Sequence, residues 1–216
     1  MNPKVKLLVT GGAGFIGSNF IRFLSRKDNI EKFEFTVLDS LTYAGNLRNL
    51  DSVMASNNFR FVKGDIRDGT LLNKIIPEVD AVINFAAESH VDRSILSAEN
   101  FIQTNTVGVQ TILDSLLRNG KNKRFLQIST DEVYGSLNSG SWTENLGMFP
   151  NSPYAATKAA GELIARAYYK THGLDIVVTR SSNNYGIYHH PEKFIPLIIT
   201  NLLLGKKVPL YGDGSN

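Results

Sequence analysis

The sequence contains no cysteine, and this excludes disulfides and thiolate metal sites. It also has no apolar run of about 18 residues, the length needed to cross a bilayer, and no signal-peptide pattern follows the N-terminal MNPK. We therefore expect a soluble, cytoplasmic protein that does not associate with membranes. The net charge of +3 is small and evenly spread, which argues against nucleic acid as a partner.

The composition is that of an ordinary globular protein. Of the 216 residues, 42% are hydrophobic and 20% are charged, enough for a substantial core. Neither an internal repeat nor a low-complexity segment is visible. These values favour one compact, enzyme-like unit over a disordered chain.

Short apolar runs alternate with segments of helical periodicity along the chain. The runs that we interpret as buried strands are residues 5–10, 33–39, 59–65, 79–87, 124–129 and 174–180. The predicted helices are 15–25, a segment capped by Asp68, 101–119 with Gly120 as its end, and a helix from Ser152 to about His172. This order predicts an α/β fold with a doubly wound parallel sheet.

The stretch ISTDEVYG places Asp131 and Glu132 directly after the fifth predicted strand. Adjacent carboxylates repel each other, and a solvated loop is the simplest interpretation of such a pair. In doubly wound sheets, however, ligands bind beyond the carboxyl ends of the strands. The position of the pair therefore favours a functional role over a solvated loop.

A glycine-rich turn, TGGAGFIG, follows the first strand and leads into a helix. Gly11, Gly14 and Gly17 would let the backbone approach a pyrophosphate at the helix N-terminus, although glycines also serve purely structural turns. Asp39 ends the second strand and suits ribose hydroxyls, and no arginine stands beside it in LDSLTYAGN, which favours NAD over NADP. Asp65 could contact the adenine, or it could be an exposed loop acid. The pattern predicts an NAD-binding Rossmann fold.

Tyr154 and Lys158 lie one helical turn apart in SPYAATK, hence on one face of a helix. A neighbouring ammonium group favours the phenolate and would lower the high pKa of a tyrosine. Such a pair is common on helices for structural reasons. It becomes informative beside Ser129 and Thr130, whose hydroxyls could donate a hydrogen bond to a substrate at the end of the fifth strand.

Together these residues resemble the extended short-chain dehydrogenase/reductase family that acts on nucleotide sugars. Within that family the resemblance is to the dTDP-glucose 4,6-dehydratases, through the segments LTYAGN, AAESHVDRS, STDEVYG, SPYAATKAAGE, SSNNYG and PEKFIP. It runs from near residue 5 to the end of the sequence. The acidic pair Asp131 and Glu132 distinguishes this group from the sister epimerases, which usually have small uncharged residues there.

The resemblance implies conversion of dTDP-glucose to dTDP-4-keto-6-deoxyglucose and water. Tyr154, as phenolate, takes the proton of the C4 hydroxyl while hydride passes to NAD; Thr130 orients that oxygen, and Lys158 tunes Tyr154 and holds the nicotinamide ribose. The new ketone acidifies the C5 proton, which Glu132 removes. Asp131 protonates the departing C6 oxygen, and hydride then returns to C6.

The resemblance also implies binding positions. For the cofactor, NAD, they are Gly11, Gly14, Phe15, Ile16, Gly17, Asp39, Ser40, Leu41, Thr42, Asp65, Ile66, Ala86, Ala87, Glu88, Thr104, Tyr154, Lys158 and Asn184. For the nucleotide sugar they are Ser89, Thr130, Asn183, Lys193, Phe194, Pro209, Leu210 and Tyr211. It further implies a homodimer through helix 101–119 and the Tyr154 helix, and no metal, since His189 and His190 lack a third ligand at a recognisable spacing.

Two departures from the family accompany these expectations. Ile187 replaces a usual proline, and His190 replaces a residue that is often aromatic. The sequence stops at YGDGSN, so the resemblance implies an NAD-binding domain over 1–184, an incomplete nucleotide-sugar domain over 185–216, and weak turnover by this length alone. The alternatives are a dehydratase for another nucleotide sugar, an epimerase, or a non-catalytic NAD-binding sensor.

Overall fold

The computed structural model describes residues 3–26, 29–137, 139–210 and 214. Its six strands form one sheet in the order β3-β2-β1-β4-β5-β6, and every neighbouring pair is parallel. This confirms the predicted doubly wound sheet. The strands are β1 (Val5–Thr10), β2 (Phe33–Asp39), β3 (Phe59–Lys63), β4 (Ala81–Asn84), β5 (Arg124–Thr130) and β6 (Ile176–Ser181).

Helices cover the sheet, and most lie where the periodicity predicts them. Those of the described residues are α1 (Phe15–Leu24), α2 (Asp51–Met54), α3 (Gly69–Ile75), α4 (Val91–Leu96), α5 (Glu99–Phe101), α6 (Val109–Asn119), α7 (Pro153–His172) and α8 (Phe194–Leu203). The helix α3 begins as expected, because the Asp68 carboxylate accepts the Leu71 N–H at 2.9 Å. None of these helices is long and apolar enough to cross a bilayer.

The core consists of two apolar clusters, which explains why the strands read as near-continuous apolar runs. Along β1, Leu7 and Val9 belong to one cluster and Leu8 to the other, because successive side chains point to opposite faces. The larger cluster packs α3, α6 and α7 against the sheet, whereas the smaller one packs α1. Both faces of the sheet are therefore buried.

Two predicted boundaries are wrong. The fourth strand ends at Asn84 although its apolar run continues, because the chain there leaves the sheet; Phe85 is instead covered by Phe20, with ring centroids 5.3 Å apart. The predicted helix 101–119 is interrupted by a π-helix, Ile102–Gly108, between α5 and α6. Apolar periodicity does not distinguish a π-turn from an α-turn.

Helix α7 carries Tyr154 and Lys158, and its position is set at two points. Ser152 caps its start, since its hydroxyl oxygen accepts the Ala155 N–H at 3.1 Å. Farther along, Gly161 faces the π-helix so closely that a Cβ there would lie 2.6 Å from the Asn105 carbonyl oxygen. Only a residue without a side chain fits at this crossing.

We expect Gly161→Ala to lower the free energy of unfolding by about 1–2 kcal/mol, because the added methyl group collides with backbone that cannot rotate away. Urea unfolding would measure the change. The control is Gly69→Ala in α3, whose Cβ would meet only the Thr111 methyl group at 3.4 Å and should be close to neutral. Equal stability of the two variants would contradict the proposed close approach.

Candidate active site

A cleft of about 720 Å³ opens at the carboxyl ends of the strands, the edge that the strand order predicts for a ligand. It is lined by the loops that follow all six strands, by the start of α7 and by the start of α8. The predicted site residues that line it are Gly11, Gly14, Phe15, Ile16, Gly17, Asp39, Ser40, Thr42, Asp65, Ile66, Ala86, Ala87, Glu88, Ser89, Thr104, Thr130, Glu132, Tyr154, Lys158, Asn183, Asn184, Lys193 and Phe194.

Four predicted residues do not line this cleft. Leu41 packs against the apolar cluster beneath the cleft, with its N–H donated to Asp39 at 2.8 Å. Asp131 lies beside the cleft, where its carboxylate accepts a hydrogen bond from the Thr130 hydroxyl at 3.3 Å. Pro209 and Leu210 are exposed. Tyr211 lies outside the described residues.

The glycine turn after β1 is built for close approach. Gly11 has φ +67°, and a Cβ there would lie 2.4 Å from the Ala86 nitrogen; one on Gly17 would lie 2.5 Å from the Gly11 carbonyl oxygen. At Gly14, the N-cap of α1, no side chain caps the helix. The unpaired N–H groups of the first turn therefore face the cleft, as a pyrophosphate would require.

The end of β2 and the connection that follows it hold this turn through Ala13. The Asp39 carboxylate accepts the Ala13 N–H at 2.9 Å, while the Ala13 carbonyl accepts from the Asn46 N–H at 3.0 Å and from the Asn49 amide at 2.9 Å. Burial raises the pKa of Asp39, and its bonds from the Leu41 and Ala13 N–H groups act in the opposite direction. Asp39 thus joins the turn to the end of β2.

The acid after β3 has a partner that the sequence interpretation did not include. Arg67 forms a forked pair with Asp65, with donor–acceptor distances of 2.6 to 3.0 Å, and both residues line the cleft. The hydrogen bond from Arg67 holds the pKa of Asp65 below its usual value. Asp65 is therefore a fixed, ionised acceptor at this end of the cleft.

Lys158 and Tyr154 occupy the opposite side of the cleft. The Lys158 side chain is 6% exposed, and its Nζ donates to the Ile128 carbonyl at 2.7 Å. Burial lowers the pKa of Lys158 to about 8, opposed by the negative charge of Glu162. The pKa of the amine thus lies close to neutral pH.

The expected lowering of the Tyr154 pKa by Lys158 is wrong for this structure. Burial, followed by the charge of Glu132, raises the pKa of Tyr154, and a hydrogen bond with the Thr130 hydroxyl only partly opposes them. Tyr154 is therefore a neutral phenol here. The sequence revealed the spacing of the two residues but not the burial of the phenol.

The acidic pair forms a 3-10 turn, Asp131–Tyr134, at the end of β5. The Thr130 hydroxyl accepts the Glu132 N–H at 3.2 Å, so Thr130 caps the turn that carries both acids. Burial raises the pKa of Glu132, as does the charge of Asp131, whereas Lys193 lowers it. A carboxyl group with a raised pKa beside a tyrosine in a cleft is typical of acid–base catalysis.

Asn105, which the sequence interpretation did not single out, fixes the loop after β4. Its side chain is 2% exposed; it accepts the Glu88 N–H at 2.9 Å and donates to the Glu88 carbonyl at 3.0 Å. It also donates to the Thr157 hydroxyl at 3.0 Å, between Tyr154 and Lys158 on α7. The neighbouring residues Gln103, Thr104 and Thr106 are also polar, so the sequence carries no signal that singles out Asn105.

The segment 185–193 covers one end of the cleft. His189 stacks on Phe15 with ring centroids 4.4 Å apart, and Lys193 Nζ donates to the Ser89 carbonyl at 2.9 Å. Glu192 forms an ion pair with Arg93 at 3.1 Å. Within the described part of the chain, no group of three or more acidic, histidine or cysteine side chains could hold a metal ion.

Comparison with known proteins identifies the family. A family model described as GDP-mannose 4,6 dehydratase matches residues 8–216. A dTDP-glucose 4,6-dehydratase from Streptomyces niveus is 52% identical over 98% of this chain, and one from an Actinoplanes species is 53% identical over 98%. This chain spans 63% and 67% of their respective lengths.

The fold agrees with that of a solved relative. The dTDP-glucose 4,6-dehydratase DesIV from Streptomyces venezuelae, crystallised with NAD, superposes with a TM-score of 0.94 and 56% sequence identity; the match covers 98% of this chain and 66% of the other. The chain therefore belongs to the nucleotide-sugar dehydratase family of extended short-chain dehydrogenases/reductases that the GDP-mannose 4,6 dehydratase model describes.

Proposed function

We propose that the protein is an NAD-dependent dTDP-glucose 4,6-dehydratase, which forms dTDP-4-keto-6-deoxyglucose and water. The observation that carries the proposal is the placement of Glu132 in the same cleft as Tyr154, close enough for its charge to raise the pKa of the phenol. Oxidation at C4 alone does not need a carboxyl group beside the tyrosine. Removal of a proton from C5 and loss of the C6 hydroxyl need groups that accept and donate protons.

The cleft fits a dinucleotide. The glycine turn would receive the pyrophosphate at the start of α1, and Asp39 and Asp65, which line the same cleft, would contact a ribose and the adenine. Solved relatives were crystallised with NAD bound. When bound, NAD supplies a hydride acceptor that can later return the hydride.

Tyr154 would take the proton of the C4 hydroxyl, with the Thr130 hydroxyl orienting the same oxygen. Because burial and Glu132 raise the pKa of Tyr154, the phenol becomes a useful base only beside a positive charge. The Lys158 ammonium can supply that charge from the same side of α7. Lys158 must therefore stay protonated while Tyr154 loses its proton.

Glu132 would remove the C5 proton once C4 is a ketone, and Asp131 would protonate the departing C6 oxygen. Burial and the charge of Asp131 raise the pKa of Glu132, which makes the Glu132 carboxylate a stronger base. Asp131 lies at the side of the cleft with its carboxylate beside Thr130. The proposed role of Asp131 requires the substrate to reach this side of the cleft.

At the other end of the cleft, Ser89, Asn183, Lys193 and Phe194 would contact the sugar and its phosphates. We further propose a cytoplasmic homodimer that pairs through α6 and α7, an NAD-binding domain over 1–184 and the first part of a nucleotide-sugar domain over 185–216. Leu41, Pro209 and Leu210 would act only if cofactor or substrate binding brings them to the ligand, and Tyr211 would contact the nucleotide.

A dehydratase for another nucleotide sugar is the second candidate, and the GDP-mannose description of the matching family model supports it. The two differ in the base that is recognised and, for GDP-mannose, in the sugar as well. Incubation with dTDP-, UDP- and GDP-sugars, followed by mass analysis, separates them: dehydration loses one water, whereas an epimerase leaves the mass unchanged. A non-catalytic NAD-binding sensor would bind NAD and change no sugar.

We expect Tyr154→Phe to keep NAD binding but to slow reduction of bound NAD by dTDP-glucose about 100-fold or more, because the proton acceptor is lost. Absorbance of the reduced cofactor measures the rate. The matched control is Tyr169→Phe, an exposed tyrosine on the same helix, which should leave the rate unchanged. Similar rates for both variants would remove Tyr154 from the mechanism.

We expect Glu132→Gln to permit reduction of bound NAD while slowing water loss about 100-fold or more, since the variant lacks the proposed acceptor of the C5 proton but keeps Tyr154 as the acceptor of the C4 hydroxyl proton. Mass analysis of the sugar measures water loss, and absorbance measures cofactor reduction in the same sample. Glu144→Gln, an exposed loop carboxylate, is the control. Normal dehydration by Glu132→Gln would show that another group is the base.

A further inference from the structure

Glu162 lies one helical turn beyond Lys158 on α7, and the two side chains are among the most buried charged groups of the described residues. They are 3% and 6% exposed, respectively. Residues at this spacing share one face of a helix. A buried carboxylate therefore lies on the same face as the buried amine of the active site.

Arg180 on β6 binds only one oxygen of Glu162. Its Nε and a terminal nitrogen donate to Oε2 at 2.9 and 2.8 Å, whereas Oε1 is buried with no hydrogen-bond partner. Leaving a carboxylate oxygen unpaired in the interior is costly unless positive charge lies close by. The Glu162 carboxylate is thus bound by the partly buried Arg180 and lies one helical turn from the buried amine of Lys158, on which its charge acts.

We propose that Glu162 is a positioning residue for Lys158, whose negative charge keeps the buried amine protonated, and that Arg180 holds this carboxylate in place. The inference rests on the proposed function of Lys158 as the cation beside Tyr154. Glu162 itself touches neither cofactor nor substrate. It does not line the cleft.

Arg180 also joins this arrangement to the acidic pair. Its other terminal nitrogen donates to the Tyr134 hydroxyl at 2.7 Å, and the guanidinium lies 4.7 Å from the centre of the Tyr134 ring. Tyr134 is the last residue of the turn that carries Asp131 and Glu132. One arginine therefore connects the counter-ion of Lys158 with the turn that would supply the proton donor and acceptor.

The burial of Lys158 and the charge of Glu162 act on the pKa of Lys158 in opposite directions. Burial lowers the pKa of Lys158 to about 8, and the charge of Glu162 raises it. Loss of that charge would lower the pKa further, so that more of the amine would be neutral at physiological pH. The other titratable and charged groups around the site include Tyr154 on the same helix, Glu132 after β5 with Asp131 beside it, Arg180 on β6, and the cleft-lining residues Asp39, Asp65, Arg67, Glu88, His189, His190, Glu192 and Lys193.

The test is a direct titration of Lys158 by NMR of protein with 13C-labelled lysine side chains, the signal being assigned with Lys158→Met. In Glu162→Gln, we expect the midpoint to fall by about one pH unit or more. Glu162→Asp retains a carboxylate, so its midpoint should lie between those of Glu162→Gln and the unsubstituted protein. The basic limb of the pH profile for NAD reduction should move in the same direction.

Glu162→Gln leaves the partly buried Arg180 without its counter-ion, so this variant can fail to fold. The double variant Glu162→Gln/Arg180→Met removes both charges and should still show a lowered midpoint, because it is the charge of Glu162 that raises the pKa of Lys158. Tyr134→Phe is the control: it removes a hydrogen bond to Arg180 without a charge and should leave the midpoint unchanged.

The inference would be overturned if the midpoint of the Lys158 titration were unchanged in Glu162→Gln. If that single variant does not fold, an unchanged midpoint in the double variant would overturn it. The NMR measurement needs neither substrate nor turnover. If the protein does not dehydrate dTDP-glucose, the proposed function fails, but the midpoint still decides the role of Glu162.

Discussion

The close approach of two backbones in the middle of the sheet is the constraint on which the site depends. β1 and β4 are neighbours, and the chain leaves them toward opposite halves of the sheet, so a crevice opens where they part. Gly11 lies against Ala86 across this junction, leaving no room for a side chain. The glycine turn and the loop after β4 therefore form the two walls of one cleft, and neither can move without the other.

Electrostatics at the site follows from burial rather than from the residues alone. Tyr154, Lys158 and Glu132 all have pKa values moved chiefly by loss of water, each toward its neutral form. In such a setting every remaining charge acts strongly on its neighbours. Lys193, which lowers the pKa of Glu132 and donates to the Ser89 carbonyl, thereby couples the segment over the cleft to the carboxyl group of Glu132.

Features set by local sequence could be predicted, and features set by distant partners could not. The strands could be predicted from apolar runs because both faces of the sheet are buried. The edge of the sheet at which a ligand binds could be predicted from the order of the strands and helices along the chain. The end of β4 could not be predicted because Phe85, just beyond it, is apolar and partly buried against Phe20. The roles of Asn105, Glu162 and Arg180 could not be predicted, because their hydrogen-bond partners are distant in the sequence and lie at no recognisable spacing from them. The side-chain directions of Leu41 and Asp131 depend on their turns, which the resemblance to a family does not fix.

A line of buried hydrogen bonds joins the two halves of the site. Thr10 donates to Asn84, Asn84 to Gln127 at 2.8 Å, and Gln127 to the Ile128 carbonyl at 3.1 Å, the same oxygen that accepts from Lys158. A carbonyl oxygen can only accept, so its position fixes the direction of every bond back to Thr10. Breaking one bond would leave a buried polar group unpaired at a cost of about 1–3 kcal/mol. Because Thr10 immediately precedes the glycine turn, the turn proposed for the cofactor and the amine proposed for catalysis cannot shift independently.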